Sequence, residues 1–172
     1  MAGLSKKVCL LGDFAVGKTS LVRRFVYDLF DDKYITTIGV KVSRKTVNVA
    51  RSDDVVELTM MLWDLAGSEE FDQVRISYLR GTAGAILACD LTRPETLDSL
   101  ESYADALLNI NPAARIVLAA NKRDLTEQRQ ITVEQIEAFA SRLSASYYLT
   151  SAKTGDEVDT LFLQLGRLLL AS

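Results

Sequence analysis

Gly12, Gly17, Lys18 and Thr19 share one short stretch, Gly12-Asp13-Phe14-Ala15-Val16-Gly17-Lys18-Thr19. Its spacing is that of a phosphate-binding loop, G-x-x-x-x-G-K-[ST]. The glycines let the backbone wrap closely, so that consecutive N–H groups point inward at phosphate oxygens. Lys18 adds a cation for the terminal phosphates, and Thr19 presents a hydroxyl to Mg²⁺. A helix beginning near Gly17 adds the positive end of its dipole. The plainer reading is a strand-to-helix turn with an incidental lysine. An apolar strand before the loop and an amphipathic helix after it weigh against that.

Composition narrows the remaining chemistry. The 172 residues contain no histidine and only two cysteines, Cys9 and Cys89. This removes Ser-His-Asp and Cys-His nucleophilic catalysis, His-ligated zinc or iron, four-cysteine zinc and any disulfide framework. Hard-cation chemistry with oxygen ligands survives. Lysine plus arginine is 20 and aspartate plus glutamate 23, a net charge of −3, which gives no nucleic-acid footprint.

The elements that must position the loop follow from patterning. Val8 to Leu11 reads as a buried strand, and Lys18 to Tyr27 has helical spacing, with Phe25, Val26 and Leu29 as core. Lys41 to Val49 alternates, Arg51 to Asp54 is a turn, and Val55 to Trp63 runs back, which predicts an antiparallel hairpin. Ala85 to Cys89, Ile116 to Ala120 and Tyr147 to Leu149 read as strands. Each is followed by a helix, over about 94–109, 133–143 and 157–170. Continuously apolar strands belong to a parallel sheet covered on both faces, and such sheets bind ligands beyond their carboxyl ends. With two prolines and no Gly/Ser-rich stretch, residues 1–172 read as a single domain.

Three further stretches sit where such a sheet would place them. Asn121-Lys122-Arg123-Asp124 follows the strand ending at Ala120, Ser151-Ala152-Lys153 follows the next strand, and Trp63-Asp64-Leu65-Ala66-Gly67 ends the hairpin. With the phosphate loop, and in this order, they resemble the Ras superfamily of small GTPases, nearest in texture to its Rab-like branch, over essentially the whole chain. The resemblance implies an α/β P-loop NTPase G domain: a mostly parallel six-stranded sheet with one antiparallel strand and about five helices on both faces.

The resemblance also implies roles. GTP and GDP would be held by Asp13, Phe14, Ala15, Val16, Gly17, Lys18, Thr19 and Ser20 of the phosphate loop. The base would be met by Asn121, Lys122, Asp124, Leu125, Ser151, Ala152 and Lys153. Asp124 would select guanine, because a carboxylate accepts from both its ring N–H and its exocyclic amine and adenine lacks that pair. The Lys122 stem would pack over the ring with its head in water, Asn121 would tie this loop to the phosphate loop, and the Ala152 N–H would contact the guanine oxygen. Phe30 would stack on the base, or else be core. Tyr34-Ile35-Thr36-Thr37-Ile38-Gly39-Val40 resembles the first switch, with Tyr34 beside the nucleotide. Mg²⁺ would be held by Thr19, Thr37 and, through water, Asp64. Gly67 would offer its N–H to the γ-phosphate. Lys18, Thr37, Gly67 and the residue after it would form the catalytic set, and hydrolysis would release the segments around Thr37 and Gly67.

Two departures touch the chemistry. Ser68 stands where the family has the glutamine that orients the attacking water, and serine is too short for that task. Glu69 and Glu70 would be acidic beside developing negative charge; Gln73 and Arg75 are weaker candidates. Phe14 occupies a position where the family prefers a small residue and could block an arginine finger. Slow unassisted hydrolysis is expected. A second reading is a nearly inactive, constitutively GTP-bound interaction module. A small P-loop kinase would leave Asn121 to Asp124 and Ser151 to Lys153 unexplained. Effector, exchange and activating proteins would dock on residues about 32–42 and 64–80, and a monomer is expected. With Gly3 one place late for myristoylation and no cysteine near the C-terminus, the chain reads as cytoplasmic with no direct membrane anchor. It is either trimmed or from a lineage that does not prenylate, such as a bacterial one.

Overall fold

Apolar strands flanked by amphipathic helices bury their side chains by alternating them between two faces. In the computed structural model, which describes residues 3–31, 40–65 and 72–171 (the backbone alone for 72–75), six strands form one sheet. They are β1 Leu4–Leu11, β2 Val40–Arg51, β3 Asp54–Leu65, β4 Gly84–Asp90, β5 Arg115–Asn121 and β6 Ser146–Leu149. The spatial order is β2-β3-β1-β4-β5-β6. β2 pairs antiparallel with β3, from Val40 opposite Leu65 to Arg51 opposite Asp54. All other neighbours are parallel.

The helices are α1 Lys18–Tyr27, α2 Asp72–Leu79, α3 Glu95–Asp98, α4 Leu100–Ile110, α5 Val133–Arg142 and α6 Val158–Leu170. The single helix expected over 94–109 is α3 and α4, joined through Ser99, which keeps right-handed helical dihedrals. α2 carries no clear apolar stripe in sequence, and patterning did not find it.

Along β1, Val8 and Leu10 face one core while Cys9 and Leu11 face the other. β4 divides likewise into Ile86 and Ala88 against Ala85, Leu87 and Cys89. The first core takes Leu21, Val22 and Phe25 of α1 and Leu161, Phe162 and Leu165 of α6. Phe25 and Phe162 stack there, with ring centroids 4.0 Å apart. The second core takes Leu100, Tyr103 and Leu107 of α4 and Ile136 and Phe139 of α5. One expected core residue differs: Leu29 is 63% exposed. α1 ends at Tyr27 and is capped by Asp28, which adopts the left-handed conformation (φ 56°), so Leu29 lies beyond the last turn and off the buried stripe. The consequence for function is the placement of Leu11, Leu65, Asp90 and Asn121 at the carboxyl ends of four adjacent parallel strands, with the connecting loops gathered at that end.

Candidate functional site

The loop after β1 is fixed by two close approaches. A Cβ on Gly12 would run into the Ala88 carbonyl oxygen of β4, and one on Gly17 into the side-chain amide of Asn121. Gly17 also has φ 104°, a conformation that favours glycine. Both glycines are therefore required by the protein's own packing, in addition to any approach of a ligand.

Five successive carbonyl oxygens of this loop are each held by a side chain. Lys18 Nζ donates to Gly12 O at 2.8 Å and Asp13 O at 2.9 Å. Arg93 Nη2 donates to Phe14 O at 2.8 Å, Lys122 Nζ to Ala15 O at 2.9 Å and Asn121 Nδ2 to Val16 O at 3.0 Å. A trans peptide points its N–H away from its C=O, and the described residues contain no cis bond. The Phe14, Ala15 and Val16 carbonyls, held by side chains from other loops, therefore turn the N–H groups of 15–17 to the opposite side. A left-handed residue, Ala15 (φ 63°), curves the loop at its middle. Successive inward N–H groups make an anion-binding concavity, and three of the four holding side chains are cations, which deepen its positive potential. Burial pushes the Lys18 ammonium down to about 8, against the favourable charges of Asp64 and Asp13, with Arg93 adding to the depression.

At the end of β3, paired in register with Leu10, lies Asp64. It is buried, and its Oδ2 accepts a hydrogen bond from the Thr19 hydroxyl at the start of α1. A hydroxyl and a carboxylate side by side are hard oxygen donors, and they fit Mg²⁺. Among the described residues no group of three or more acidic, histidine or cysteine side chains forms a protein-only cage. Mg²⁺ commonly keeps waters and takes phosphate oxygens in place of such a cage.

Asn121 ends β5 opposite Asp90 and joins three segments. Its Nδ2 holds the phosphate loop, while its Oδ1 accepts from Thr150 Oγ1 at 3.1 Å and from the Ala152 N–H at 3.3 Å. Ser151 Oγ donates to Asp124 Oδ1 at 2.8 Å and accepts from the Thr154 N–H. The Leu125 N–H closes the turn onto Lys122 O at 3.0 Å. Lys122 itself has φ 69°, so the turn carries strain in a non-glycine residue. Its head is not simply hydrated: Nζ lies 2.8 Å from Asp90 Oδ2 as well as on Ala15 O. Asp13 accepts from the Tyr103 hydroxyl, Ser20 is half-buried on α1, and Lys153 is exposed. Phe14 is 49% exposed, and Phe30 is half-buried against the first core. Tyr34, Thr37, Gly67, Ser68, Glu69 and Glu70 lie outside the described residues, as do the side chains of Gln73 and Arg75.

Patterning missed Asp90, Arg93 and Arg24. Asp90 is buried; its carboxylate accepts from Thr92, Arg93 and Lys122, and these bonds outweigh the burial and hold its carboxyl below the ordinary range. A carboxylate closing a strand that is apolar from end to end was the available signal. Arg24 Nε and Nη2 donate to the carbonyls of Ala152 and Lys153. Its signal was only a cation on the helix that follows the phosphate loop.

A mixed six-stranded sheet with helices on both faces and this loop after β1 is the fold of a P-loop GTPase G domain. The family model described as "Ras family" matches residues 7–171. The chain is 38% identical over 169 residues to mouse "Ras-related protein Rab-22A", covering 97% of this chain and 84% of the relative. It is 36% identical over 164 residues to "Ras-related protein SEC4" of Saccharomyces cerevisiae, covering 95% and 74%. It is 34% identical over 168 residues to "Ras-related protein RabJ" of Dictyostelium discoideum, covering 97% and 64%. The chain belongs to the Ras family of small GTPases, in its Rab-like branch.

Proposed function

We propose that this GTPase binds GTP and GDP through the phosphate loop, selects guanine with Asp124, and hydrolyses GTP slowly as a molecular switch. The observation that carries the reading is the hold of Arg93, Lys122 and Asn121 on the Phe14, Ala15 and Val16 carbonyls, which supports N–H groups of 15–17 preset for an anion. Preset donors cost no reorganisation when charge develops in the transition state. Lys18 would exchange its two carbonyl partners for phosphate oxygens. Mg²⁺ would be held by Thr19, by Thr37 and through water by Asp64, and would neutralise charge on the β- and γ-phosphates.

The base would lie between Asn121–Leu125 and Ser151–Lys153, with the Ala152 N–H on the guanine oxygen and Phe30 at its edge. The Ser151 hydroxyl orients Asp124, leaving the carboxylate to meet the two guanine donors. Thr37 and Gly67 would hold the γ-phosphate and let go after hydrolysis, so residues about 32–42 and 64–80 would present two surfaces to effector, exchange and activating proteins. We infer a monomeric G domain over 1–172 that works in the cytoplasm. Among the described residues no helix is long and apolar enough to cross a membrane.

The second reading, a constitutively GTP-bound module, is favoured by Ser68 at the water-orienting position and by Phe14, which projects 49% exposed from the phosphate loop. One experiment separates them. Nucleotide released from the denatured protein is identified, and single-turnover GTP hydrolysis is followed for hours with Mg²⁺. Recovered guanine nucleotide with measurable turnover supports the switch. GTP that persists supports the module, and adenine nucleotide would overturn the base assignment.

A further inference from the structure

Asp90, Arg93 and Lys122 form a cluster that nucleotide chemistry alone does not require. Asp90 Oδ2 lies 3.0 Å from Arg93 Nε and 2.8 Å from Lys122 Nζ. The other carboxylate oxygen accepts from the Thr92 N–H at 2.8 Å and the Thr92 hydroxyl at 2.7 Å. The two cations would repel each other without the carboxylate between them. With it, they reach adjacent carbonyls of the phosphate loop, Arg93 taking Phe14 O and Lys122 taking Ala15 O.

We propose that Arg93 is a positioning residue of the phosphate loop, held by Asp90 and acting through the Phe14 carbonyl to aim the Ala15 N–H at the bound phosphates. This rests on the reading of residues 12–19 as the phosphate site. Because C=O and N–H of one trans peptide are antiparallel, the hold on Phe14 O fixes the direction of the Ala15 N–H. Arg93 can do this while bonded to Asp90 because its guanidinium is a rigid fork with separate donors, Nε for the carboxylate and Nη2 for the carbonyl. A lysine, with a single ammonium on a flexible stem, would serve both acceptors less well. The same peptide carries Phe14, so the hold also restricts where that exposed ring can swing.

The test compares wild type, Arg93→Gln and Arg93→Lys in the full chain, reading the release rates of GDP and inosine diphosphate with Mg²⁺ present. Arg93 is about one-third exposed, so its replacement leaves no buried cavity. Arg93→Gln is expected to release both nucleotides about tenfold faster, the scale of one charge-assisted hydrogen bond. The ratio between the two nucleotides should stay at the wild-type value, because the base contacts of Asp124 and Ser151 are untouched. Arg93→Lys should recover part of the loss. Added to Asp90→Asn, which loosens both Arg93 and Lys122, Arg93→Gln should cost much less than it does alone, since the Arg93 hold is already weakened. Unchanged release in Arg93→Gln, or a changed ratio between the nucleotides, overturns the proposal. A lower melting temperature with unchanged release would mark a merely structural role and overturn it too. Wild-type protein that holds neither nucleotide would instead sink the phosphate-site reading beneath it.

Discussion

The Asn121 carboxamide donates to the Val16 carbonyl oxygen at 3.0 Å, across 105 residues of sequence. That bond, with the acceptor side of the same amide on Thr150 and Ala152, makes one buried side chain the junction of the loops after β1, β5 and β6. The phosphate and base subsites of the proposed function are therefore not independent: a change that moves Asn121 moves both.

Asn121→Ala should consequently damage stability and binding together. It would leave the Val16 carbonyl, the Thr150 hydroxyl and the Ala152 N–H without this partner in a buried setting. Each orphaned group costs about 1–3 kcal/mol, so denaturant unfolding should show a loss of roughly 3 kcal/mol or more. Release of GDP and of inorganic pyrophosphate should both accelerate. If only GDP release changed, the coupling through Val16 would be refuted.

Lys18 gives the site a pH dependence. Its ammonium is pushed down to about 8 by burial, from 10.5 in an open chain. Between those values the unfolded chain binds more protons than the folded one, so this group makes the nucleotide-free protein more stable as pH rises from about 8 toward 10.5. Phosphates beside Lys18 would favour the charged form, so binding takes up a proton, about half a proton per nucleotide near pH 8. Titration calorimetry of GDP in buffers of different ionisation enthalpy measures this directly. Affinity should fall as pH climbs above 8, and zero proton uptake at pH 8 would contradict the account.

The positions of the strands and of the matched loops were legible because period-two burial and fixed motif spacings are local signals. Lys18 to Tyr27 is a helix to the residue, and the turn at 51–54 joins the expected hairpin. What was not legible is non-local. Asp90 earns its place by meeting Lys122 and Arg93, and Arg24 by meeting Ala152 and Lys153. Leu29 fell off the core because Asp28 turned left-handed, a choice no apolar spacing encodes. α2 was missed because its sequence, Asp72 to Leu79, carries no stripe strong enough to announce a helix.

The core beneath the site offers a stability control. Phe162 of α6 is fully buried and stacks on Phe25 of α1, and it has no polar contact with the loops. Phe162→Ala should cost about 3–5 kcal/mol, the range for emptying a buried aromatic site. The GDP release rate of the folded fraction should remain close to wild type. A large change in release would show that α1 transmits core packing to Thr19.

In the proposed function base selection rests on a carboxylate, Asp124, oriented by the Ser151 hydroxyl. Asp124→Asn turns one acceptor oxygen into an NH₂ that faces the guanine donors. GTP affinity should fall by about 3 kcal/mol, on the order of a hundredfold. Ser151→Ala keeps the carboxylate but frees it from the hydroxyl at 2.8 Å, so it should weaken GTP by a smaller factor and leave guanine preferred. Equal effects from the two variants would mean that Ser151, not Asp124, carries recognition.

In the proposed function the rate of hydrolysis turns on Ser68. A glutamine there orients the attacking water in related GTPases; a serine side chain is two bonds shorter. Wild-type single-turnover hydrolysis should therefore sit at or below roughly 10⁻⁴–10⁻³ s⁻¹, the intrinsic Ras scale, and a rate above about 10⁻² s⁻¹ would refute the reading. Ser68→Gln should raise the rate by roughly tenfold or more, since general acid–base and positioning groups commonly contribute 10²–10⁴. If the rate does not move, the limit lies at Phe14, and Phe14→Ala, which leaves the backbone hold of Arg93 on residue 14 in place, should raise it instead. If neither substitution moves it, water is positioned by another group, and activation must depend on a partner that brings its own.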